Sequence, residues 1–160
     1  MIVQNPESHV LESSGLTETQ EFKIKTSAHA FKMLSSGLYS DKIAAVLREI
    51  GCNAVDAHIS VGKRDVPIEV KLPNGLDNQF WIKDFGPGMS HEDVMELYTT
   101  YFSSTKQNSN DLTGGFGLGS KSPFSYTDSF IITSRHAGKE RTYSAHIGDS
   151  GSPTIAKMGE

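Results

Sequence analysis

Three polar side chains recur along one predicted helix at spacings that place them side by side. Glu49, Asn53 and Asp56 stand at positions i, i+4 and i+7 within REIGCNAVDA. At about 100° of rotation per residue they fall within about 60° of one another, bordering the apolar face of the helix. A carboxylate and a carboxamide one turn apart can position a water and a hard cation together. A solvated helix face is the alternative interpretation.

A second candidate site follows a predicted strand. In DFGPGM, residues 84–89, Asp84 ends the strand and two glycines come directly after it. A half-buried carboxylate here can accept a hydrogen bond from the exocyclic amine of a base. Gly86 and Gly88 keep the approach to the ring open, and Met89 supplies a soft apolar wall. A plain turn at the end of the strand is the alternative.

The third candidate is the glycine-rich stretch GGFGLGSKSPF at 114–124. A P-loop requires lysine directly after the last glycine, but Ser120 stands there and Lys121 comes one residue late. The dinucleotide fingerprint GxGxxG fails in both registers, because serine occupies its third glycine position at Ser120 and at Ser122. Two interpretations remain, a lid hinge that feeds an anion-binding helix N-terminus and a flexible turn.

Predicted helices and strands connect these candidates. Residues 21–26 alternate like a short strand, and 27–37 predict a short helix capped by Ser27 and ended by Gly37. A longer helix runs from Ser40 or Asp41 to Ser60. Its apolar side chains fall on one arc, which predicts the buried face. They are Ile43, Val46, Leu47, Ile50, Ala54 and Ala57.

The remainder of the chain is predicted to form strands and two further helices. Residues 67–72 and 79–84 predict two strands joined at Asn74-Gly75, and Ser90 with Asp93 predicts a capping box opening a helix over 91–102. After the glycine-rich stretch and a further predicted helix, paired strands turn at Ala137-Gly138. This order predicts an α+β fold, a two-layer sandwich whose mostly antiparallel sheet is covered by helices on one face.

Composition restricts the functional classes further. The 160 residues carry a formal net charge of −4, which argues against a dedicated nucleic-acid surface. Cys52 is the one cysteine, so neither an intrachain disulfide nor a cysteine metal site can form, and we interpret it as a buried thiol. We find no apolar run of membrane-spanning length and no secretory signal. The histidines are expected to be exposed.

Taken together, the three motifs resemble those of the GHKL ATPases, the superfamily of gyrase, the ninety-kilodalton heat-shock chaperone, histidine kinases and MutL. The similarity covers roughly residues 40–135 and implies a Bergerat fold that binds ATP and Mg²⁺. A narrower resemblance rests on GGFGLGSKSPFSYTD, which is similar to the N-terminal region of the rIIA proteins of T-even-type bacteriophages. That family implies a phage protein linked to lysis timing and to escape from host exclusion, in the cytoplasm of the infected bacterium or peripheral to its inner membrane.

The superfamily resemblance also assigns roles to individual residues. It makes Glu49 the general base for the attacking water, Asn53 a Mg²⁺ ligand and Asp84 the residue that recognises adenine. Glutamate rather than asparagine at position 49 favours hydrolysis over transfer of phosphate to histidine. The other nucleotide-binding candidates are Asp56, Ala57, Gly86, Gly88, Met89, Thr105, Lys106, Gly114, Gly115, Phe116, Gly117, Leu118, Gly119, Ser120 and Lys121.

The resemblance further predicts how the chain is organised. Residues 1–20 are expected to form a flexible or partner-dependent arm, 21–160 the ATP-binding domain and about 102–119 its lid. Superfamily members carry a further strand with a Gly-Thr element, and Thr154 does not stand in such an element. Two hypotheses follow. One is a weak ATPase whose lid closure is coupled to homodimerisation, and the other is a catalytically silent or nucleotide-gated module that binds a host or phage protein.

Overall fold

Helices and antiparallel strands alternate along the described part of the chain. The computed structural model describes residues 27–37, 39–100 and 118–160. Helix α1 spans Ala28–Lys32 and continues as a π-helical turn over Met33–Gly37. Helix α2 spans Lys42–Ser60 and α3 spans His91–Thr99. A 3₁₀ helix covers Gly119–Ser125.

The strands within the described residues form two antiparallel sheets. Strands β1 (Glu69–Lys71) and β2 (Trp81–Lys83) form a hairpin. The other sheet has the order β3-β4-β5, from Ser129–His136, Lys139–Ile147 and Pro153–Gly159. The strand predicted over residues 21–26 lies outside the described residues.

Local signals explain where the helices begin. The side chains of Ser27 and Asp41 accept hydrogen bonds from backbone N–H groups in the first turns of α1 and α2. Ser90 and Asp93 form the complete reciprocal capping box of α3. All three predicted caps are confirmed.

Two predicted turns are also present. Ala137 and Gly138, at φ values of 50° and 77°, connect β3 to β4 in the left-handed conformation that a two-residue hairpin requires. The β1–β2 connection is instead closed by Asn74, whose side-chain oxygen accepts from the backbone N–H groups of Leu76 and Asp77.

The core lies between the three-stranded sheet and the helices on one of its faces. Strand β3 alternates, with Ile132 and Ser134 buried and Ile131 exposed, as expected when one face packs and the other does not. Phe124 of the 3₁₀ helix contacts Phe31 and Phe130 edge-on, with ring centroids 5.4 and 4.9 Å apart. The predicted α+β sandwich is confirmed.

The buried face of α2 differs from the predicted arc. Ile43 and Leu47 are exposed, at 58% and 42% of their surface, although Val46 and Ala54 are buried as expected. Asp56 and His58 are buried in their place. Periodicity counts only apolar residues, whereas this helix also buries polar side chains that find partners in the folded chain.

The last strand is a second difference from the sequence analysis. Residues Pro153–Gly159, to which we assigned no element, form β5 and pair with β4. Thr154 lies opposite His146 in this ladder. Glu160 then forms ion pairs with Lys139, Arg141 and Lys157, which join the ends of β4 and β5.

Candidate functional site

Helix α2 supplies the first group of candidate residues. The Glu49 side chain is 24% exposed, Asn53 is half-buried, and Asp56 is 2% exposed. The alternative of a solvated polar face is therefore wrong for this stripe. Ala57 and Cys52 are half-buried on the same helix, so the thiol is less enclosed than expected.

The carboxylate of Glu49 lies between its own helix and the end of the glycine-rich segment. Its Oε1 accepts a hydrogen bond from Arg48 Nη2 at 2.7 Å. Its Oε2 faces Gly119 so closely that a β-carbon placed on Gly119 would lie 2.6 Å from that oxygen. The structure thus brings together two candidates that lie 70 positions apart in the sequence.

Only the end of the glycine-rich segment belongs to the described residues. Leu118, Gly119 and Ser120 are half-buried. Gly119 begins a 3₁₀ helix of seven residues that contains Pro123 and packs against α2. Proline removes a backbone donor, which disfavours a longer α-helix at this point. The remaining candidates of the segment and its lid lie outside the described residues: Thr105, Lys106, Gly114, Gly115, Phe116 and Gly117.

Lys121 is buried in this 3₁₀ helix. Only 2% of its surface is exposed to solvent. Its Nζ donates a hydrogen bond to the carbonyl of Thr100, at the end of α3, at 2.7 Å. Burial lowers the pKa of Lys121 to about 8. Lys121 is therefore not a solvated surface lysine, and its ammonium lies at the C-terminal end of α3.

The segment from Asp84 to Met89 lies against the end of α2. Asp84 is exposed, so the expected half-burial of this residue is wrong, and its carboxylate accepts from the Gly86 N–H at 2.9 Å. A β-carbon on Gly86 would lie 2.6 Å from the β-carbon of Ala57. Glycine is therefore required here for close packing on the helix, and the same contact joins the second candidate motif to the first.

Strand β3 holds the other end of this segment. The Met89 N–H donates to Ser134 Oγ, and this hydroxyl donates to the Met89 carbonyl, both at 2.8 Å. Gly88 adopts a φ of 67°, and a β-carbon on it would lie 2.0 Å from the Arg135 carbonyl oxygen. The turn after β2 is thus fixed both by its conformation and by close contact with β3.

Two tyrosines lie near the candidate carboxylates. Burial, together with the nearby charge of Asp84, raises the pKa of Tyr98 to about 12. Burial first, and then the charge of Glu49, raises the pKa of Tyr39. Both phenols therefore keep their protons near neutral pH.

Sequence reasoning missed three residues that position the second motif. His58 is 3% exposed, and its Nε2 accepts from the Phe85 N–H at 2.7 Å, so the expected exposure of this histidine is wrong. Lys63 and Ser134 bind the same segment. The one hint in the sequence was that His58 follows NAVDA, the polar part of α2. Whether a histidine is buried depends on contacts between segments, which periodicity does not reveal.

Two concavities on the described surface lie away from the candidate residues Glu49 and Asp84. One, of about 410 Å³, is lined by Val55, His58 and Ile59 among others, and the second, of about 670 Å³, by Phe31, Phe124 and Tyr126 among others. Neither is lined by Glu49 or Asp84. The candidate site is therefore defined by the juxtaposition of motifs on α2, the segment after β2 and the 3₁₀ helix.

The donor set near Gly119 suits a hard cation that takes most of its ligands from phosphates and water. Across the ranges that the structure describes, no three His, Cys, Asp or Glu side chains are grouped to hold a metal ion. Glu49 and Asn53 supply a carboxylate and a carboxamide one turn apart on α2. Mg²⁺ in nucleotide sites commonly takes one or two protein oxygens, so these residues fit it.

Comparison with known families agrees with this arrangement. Residues 39–155 match the family described as histidine kinase-, DNA gyrase B-, and HSP90-like ATPase. The chain belongs to this family, and the predicted superfamily is confirmed. Its fold is that of an ATP-binding domain of the HSP90-like type.

Individual relatives are bacterial chaperones. The chain is 32% identical to chaperone protein HtpG of Rickettsia canadensis, over 78% of this chain and 24% of that protein. It is 30% identical to the HtpG of Aliivibrio fischeri, over 81% and 24%. It is 28% identical to that of Wolbachia pipientis wMel, over 92% and 27%. The chain thus spans about a quarter of the length of these relatives. In the described segments, no helix combines the length and hydropathy needed to cross a bilayer.

Proposed function

We propose that this domain binds Mg-ATP between α2, the segment after β2 and the glycine-rich segment, and hydrolyses it slowly. The observation that carries the proposal is the contact of Glu49 Oε2 with Gly119, in a chain that belongs to an ATPase family. A general base must lie within hydrogen-bond reach of the attacking water, so a carboxylate beside the phosphate-binding segment supports this role.

Each described motif would hold a different part of the nucleotide. The Asp84 carboxylate would accept a hydrogen bond from the adenine amine, with Gly86, Gly88 and Met89 beside the ring. Backbone N–H groups of the segment Gly114–Gly119 would donate to the phosphates. Asp56 and Ala57 would border this pocket, with Phe116, Leu118, Ser120 and the lid residues Thr105 and Lys106 near the phosphates.

Lys121 is proposed in a supporting position. Its Nζ is bound to the Thr100 carbonyl, so reaching a phosphate would require it to leave this partner. We therefore propose that Lys121 fixes the 3₁₀ helix against α3 and contributes its positive charge near the phosphates from within the domain.

Asn53 would hold the cation, and Glu49 would act on water. When bound, Mg²⁺ would neutralise charge on the phosphates. With Oε1 held by Arg48, the second oxygen of Glu49 faces the glycine-rich segment and can accept a proton from a water on that side.

The wider protein is proposed from the resemblance in GGFGLGSKSPFSYTD. We propose a phage rIIA-like protein that acts in the infected bacterial cytoplasm or at the inner face of its membrane, linked to lysis timing and escape from host exclusion. Residues 1–20 would form a partner-dependent arm and 102–119 a lid, within a domain spanning 21–160. Closure of the lid would favour a homodimer, and a host or phage protein would be the further partner.

A second candidate function is a module that binds ATP without turning it over. The Arg48–Glu49 ion pair favours it, because the guanidinium occupies one carboxylate oxygen and restrains the side chain that would have to approach the water. The two candidates differ in the predicted behaviour of Glu49→Gln.

Glu49→Gln tests the hydrolytic role. We expect the variant to retain ATP binding and to lose at least about tenfold of its turnover, since a carboxamide cannot accept the proton of water. Phosphate release by the full-length protein measures turnover, with Glu96→Gln, on the exposed part of α3, as the matched control. Turnover that is equal in Glu49→Gln and wild type would reject Glu49 as the base, and its absence in both would favour the binding module.

A further inference from the structure

His58 links α2 to the segment that carries Asp84. Its Nδ1 lies 2.9 Å from the Val66 carbonyl oxygen, and its Nε2 lies 2.7 Å from the Phe85 backbone nitrogen. A carbonyl can only accept and a backbone N–H can only donate. The ring is therefore neutral, with its proton on Nδ1 and its Nε2 lone pair directed at Phe85.

Lys63 binds the other backbone polar group of Phe85, its carbonyl. Its Nζ donates to the Phe85 carbonyl at 2.7 Å, and its own N–H donates to the His58 carbonyl at 2.9 Å. Lys83 Nζ also lies 4.7 Å from the centre of the Phe85 ring. Both backbone polar groups of Phe85 are thus held by residues from α2 and the turn that follows it.

Fixing Phe85 fixes its two neighbours. Asp84 precedes it and Gly86 follows it, and the Gly86 N–H is the donor to the Asp84 carboxylate. Gly86 in turn packs on Ala57, the residue next to His58 on α2. A movement of the Phe85 peptide would therefore displace both the carboxylate and the N–H that orients it.

The polarity of His58 indicates that packing alone does not explain it. A buried imidazole costs free energy unless its nitrogens are satisfied, and an aliphatic side chain would fill space here without that requirement. Both nitrogens instead bind backbone groups, one before β1 and one directly after β2. The ring therefore specifies where the segment after β2 lies relative to the helix of Glu49 and Asn53.

We propose that His58 is a positioning residue for base recognition, which holds Asp84 where its carboxylate selects a purine with an exocyclic amine at the adenine position. The inference rests on the proposed ATP-binding function and deepens it. His58 contacts no nucleotide. It acts through the Phe85 N–H, so its loss should affect recognition of the base and leave recognition of the phosphates intact.

Two substitutions separate the two nitrogens of the ring. In His58→Gln, the side-chain oxygen can take the place of Nε2 and accept from Phe85. In His58→Asn, the shorter amide can take the place of Nδ1 and donate to Val66, but it leaves the Phe85 N–H without its acceptor. Lys63→Met removes the second contact on Phe85 from an exposed side chain.

The experiment is calorimetric titration of the full-length wild type and the three variants with ATP, GTP and inorganic tripolyphosphate, each with Mg²⁺. We expect His58→Gln to retain the preference for ATP over GTP within about twofold, and His58→Asn to lose about tenfold in ATP affinity. Lys63→Met should lose ATP affinity in the same direction. Affinity for tripolyphosphate should be unchanged in all three.

Each outcome of the titrations tests either the positioning role of His58 or the proposed ATP binding itself. Unchanged ATP affinity and preference in His58→Asn would overturn the positioning role, and so would an equal loss of tripolyphosphate affinity, which would indicate a general structural effect. If circular dichroism shows that His58→Asn is unfolded, Lys63→Met decides, because unchanged ATP affinity there would overturn the proposal. Absence of ATP binding by the folded wild type would overturn the proposed function, and this inference with it.

Discussion

Glu49 is the residue whose surroundings matter most for the proposed chemistry. Arg48 holds one carboxylate oxygen, and the other faces Gly119, where no side chain intervenes. The side chain is 24% exposed, so water can reach it while its position remains constrained. Glycine at position 119 therefore leaves room for the Glu49 carboxylate, in addition to any role in binding phosphate.

Gly119→Ala tests this contact. The added β-carbon would lie 2.6 Å from Glu49 Oε2, and the end of a flexible side chain can move away at small cost. We expect the free energy of unfolding to change by less than about 1 kcal/mol. Turnover should fall at least about tenfold, because the displaced carboxylate no longer meets the water. Urea denaturation and phosphate release measure the two effects.

Gly51→Ala is the matched control for that substitution. Gly51 lies within α2, and a β-carbon there meets nothing within 4 Å. Alanine should stabilise the helix by about 1 kcal/mol and leave turnover unchanged. Full activity in Gly119→Ala would contradict the proposed role of the contact.

At the scale of elements, the segment between β2 and α3 is held at both ends. His58 and Lys63 bind it from the end of α2, and Ser134 binds it from β3. Gly88 completes the arrangement, because its positive φ lets the backbone pass directly over the Arg135 carbonyl. The position of Asp84 is thus set by two different elements rather than by the turn alone.

Gly88→Ala should be strongly destabilising. Its β-carbon would lie 2.0 Å from a backbone oxygen, which cannot move without distorting β3. Gly62 has a similar φ of 70° with open space around it, so Gly62→Ala reports the conformational cost alone. We expect Gly88→Ala to lose at least about 2 kcal/mol more than Gly62→Ala in urea denaturation. Equal losses would contradict the close contact with β3.

The link between the 3₁₀ helix and α3 should be visible in the pH dependence of stability. Lys121 has a folded pKa of about 8 against 10.5 for the exposed group. Between these values the unfolded chain binds more protons than the folded one, so the free energy of unfolding rises with pH. The free energy of unfolding gained from Lys121 between these two pKa values is at most about 3 kcal/mol.

Lys121→Met should remove that rise. We expect the wild type to gain stability relative to the variant from pH 8 to pH 10, measured by urea denaturation at each pH. Tyr98, with its pKa raised to about 12, lowers the free energy of unfolding of both proteins above its unfolded value of 10.0, and this shared contribution cancels in their difference. Parallel curves for the two proteins would show that Lys121 is not held in a desolvated position.

At the scale of the whole molecule, local sequence patterns predicted where helices and turns begin and end better than they predicted which side chains are buried. The caps at Ser27, Asp41 and Ser90 and the turn at Ala137 depend on neighbouring residues, and all were predicted correctly. Burial of His58 and exposure of Ile43 depend on contacts between distant segments, which a helical period does not encode.

The candidate site was predictable in part for the same reason. Glu49, Asn53 and Asp84 were identified from residue types and spacing, and the structure places their elements together. The positioning residues His58 and Lys63 were not, because their partners are backbone groups of Phe85, and such contacts leave no pattern of residue types. The roles proposed for the nucleotide-binding residues remain predictions.

Titration of the full-length protein with ATP in the presence of Mg²⁺, wild type against Asp84→Asn, tests the central claim most directly. We expect the wild type to bind ATP and the variant to bind at least about tenfold more weakly, because the amide loses the charge-assisted hydrogen bond to the adenine amine. No binding by folded wild type, or equal affinity in the two proteins, would contradict the proposed nucleotide site.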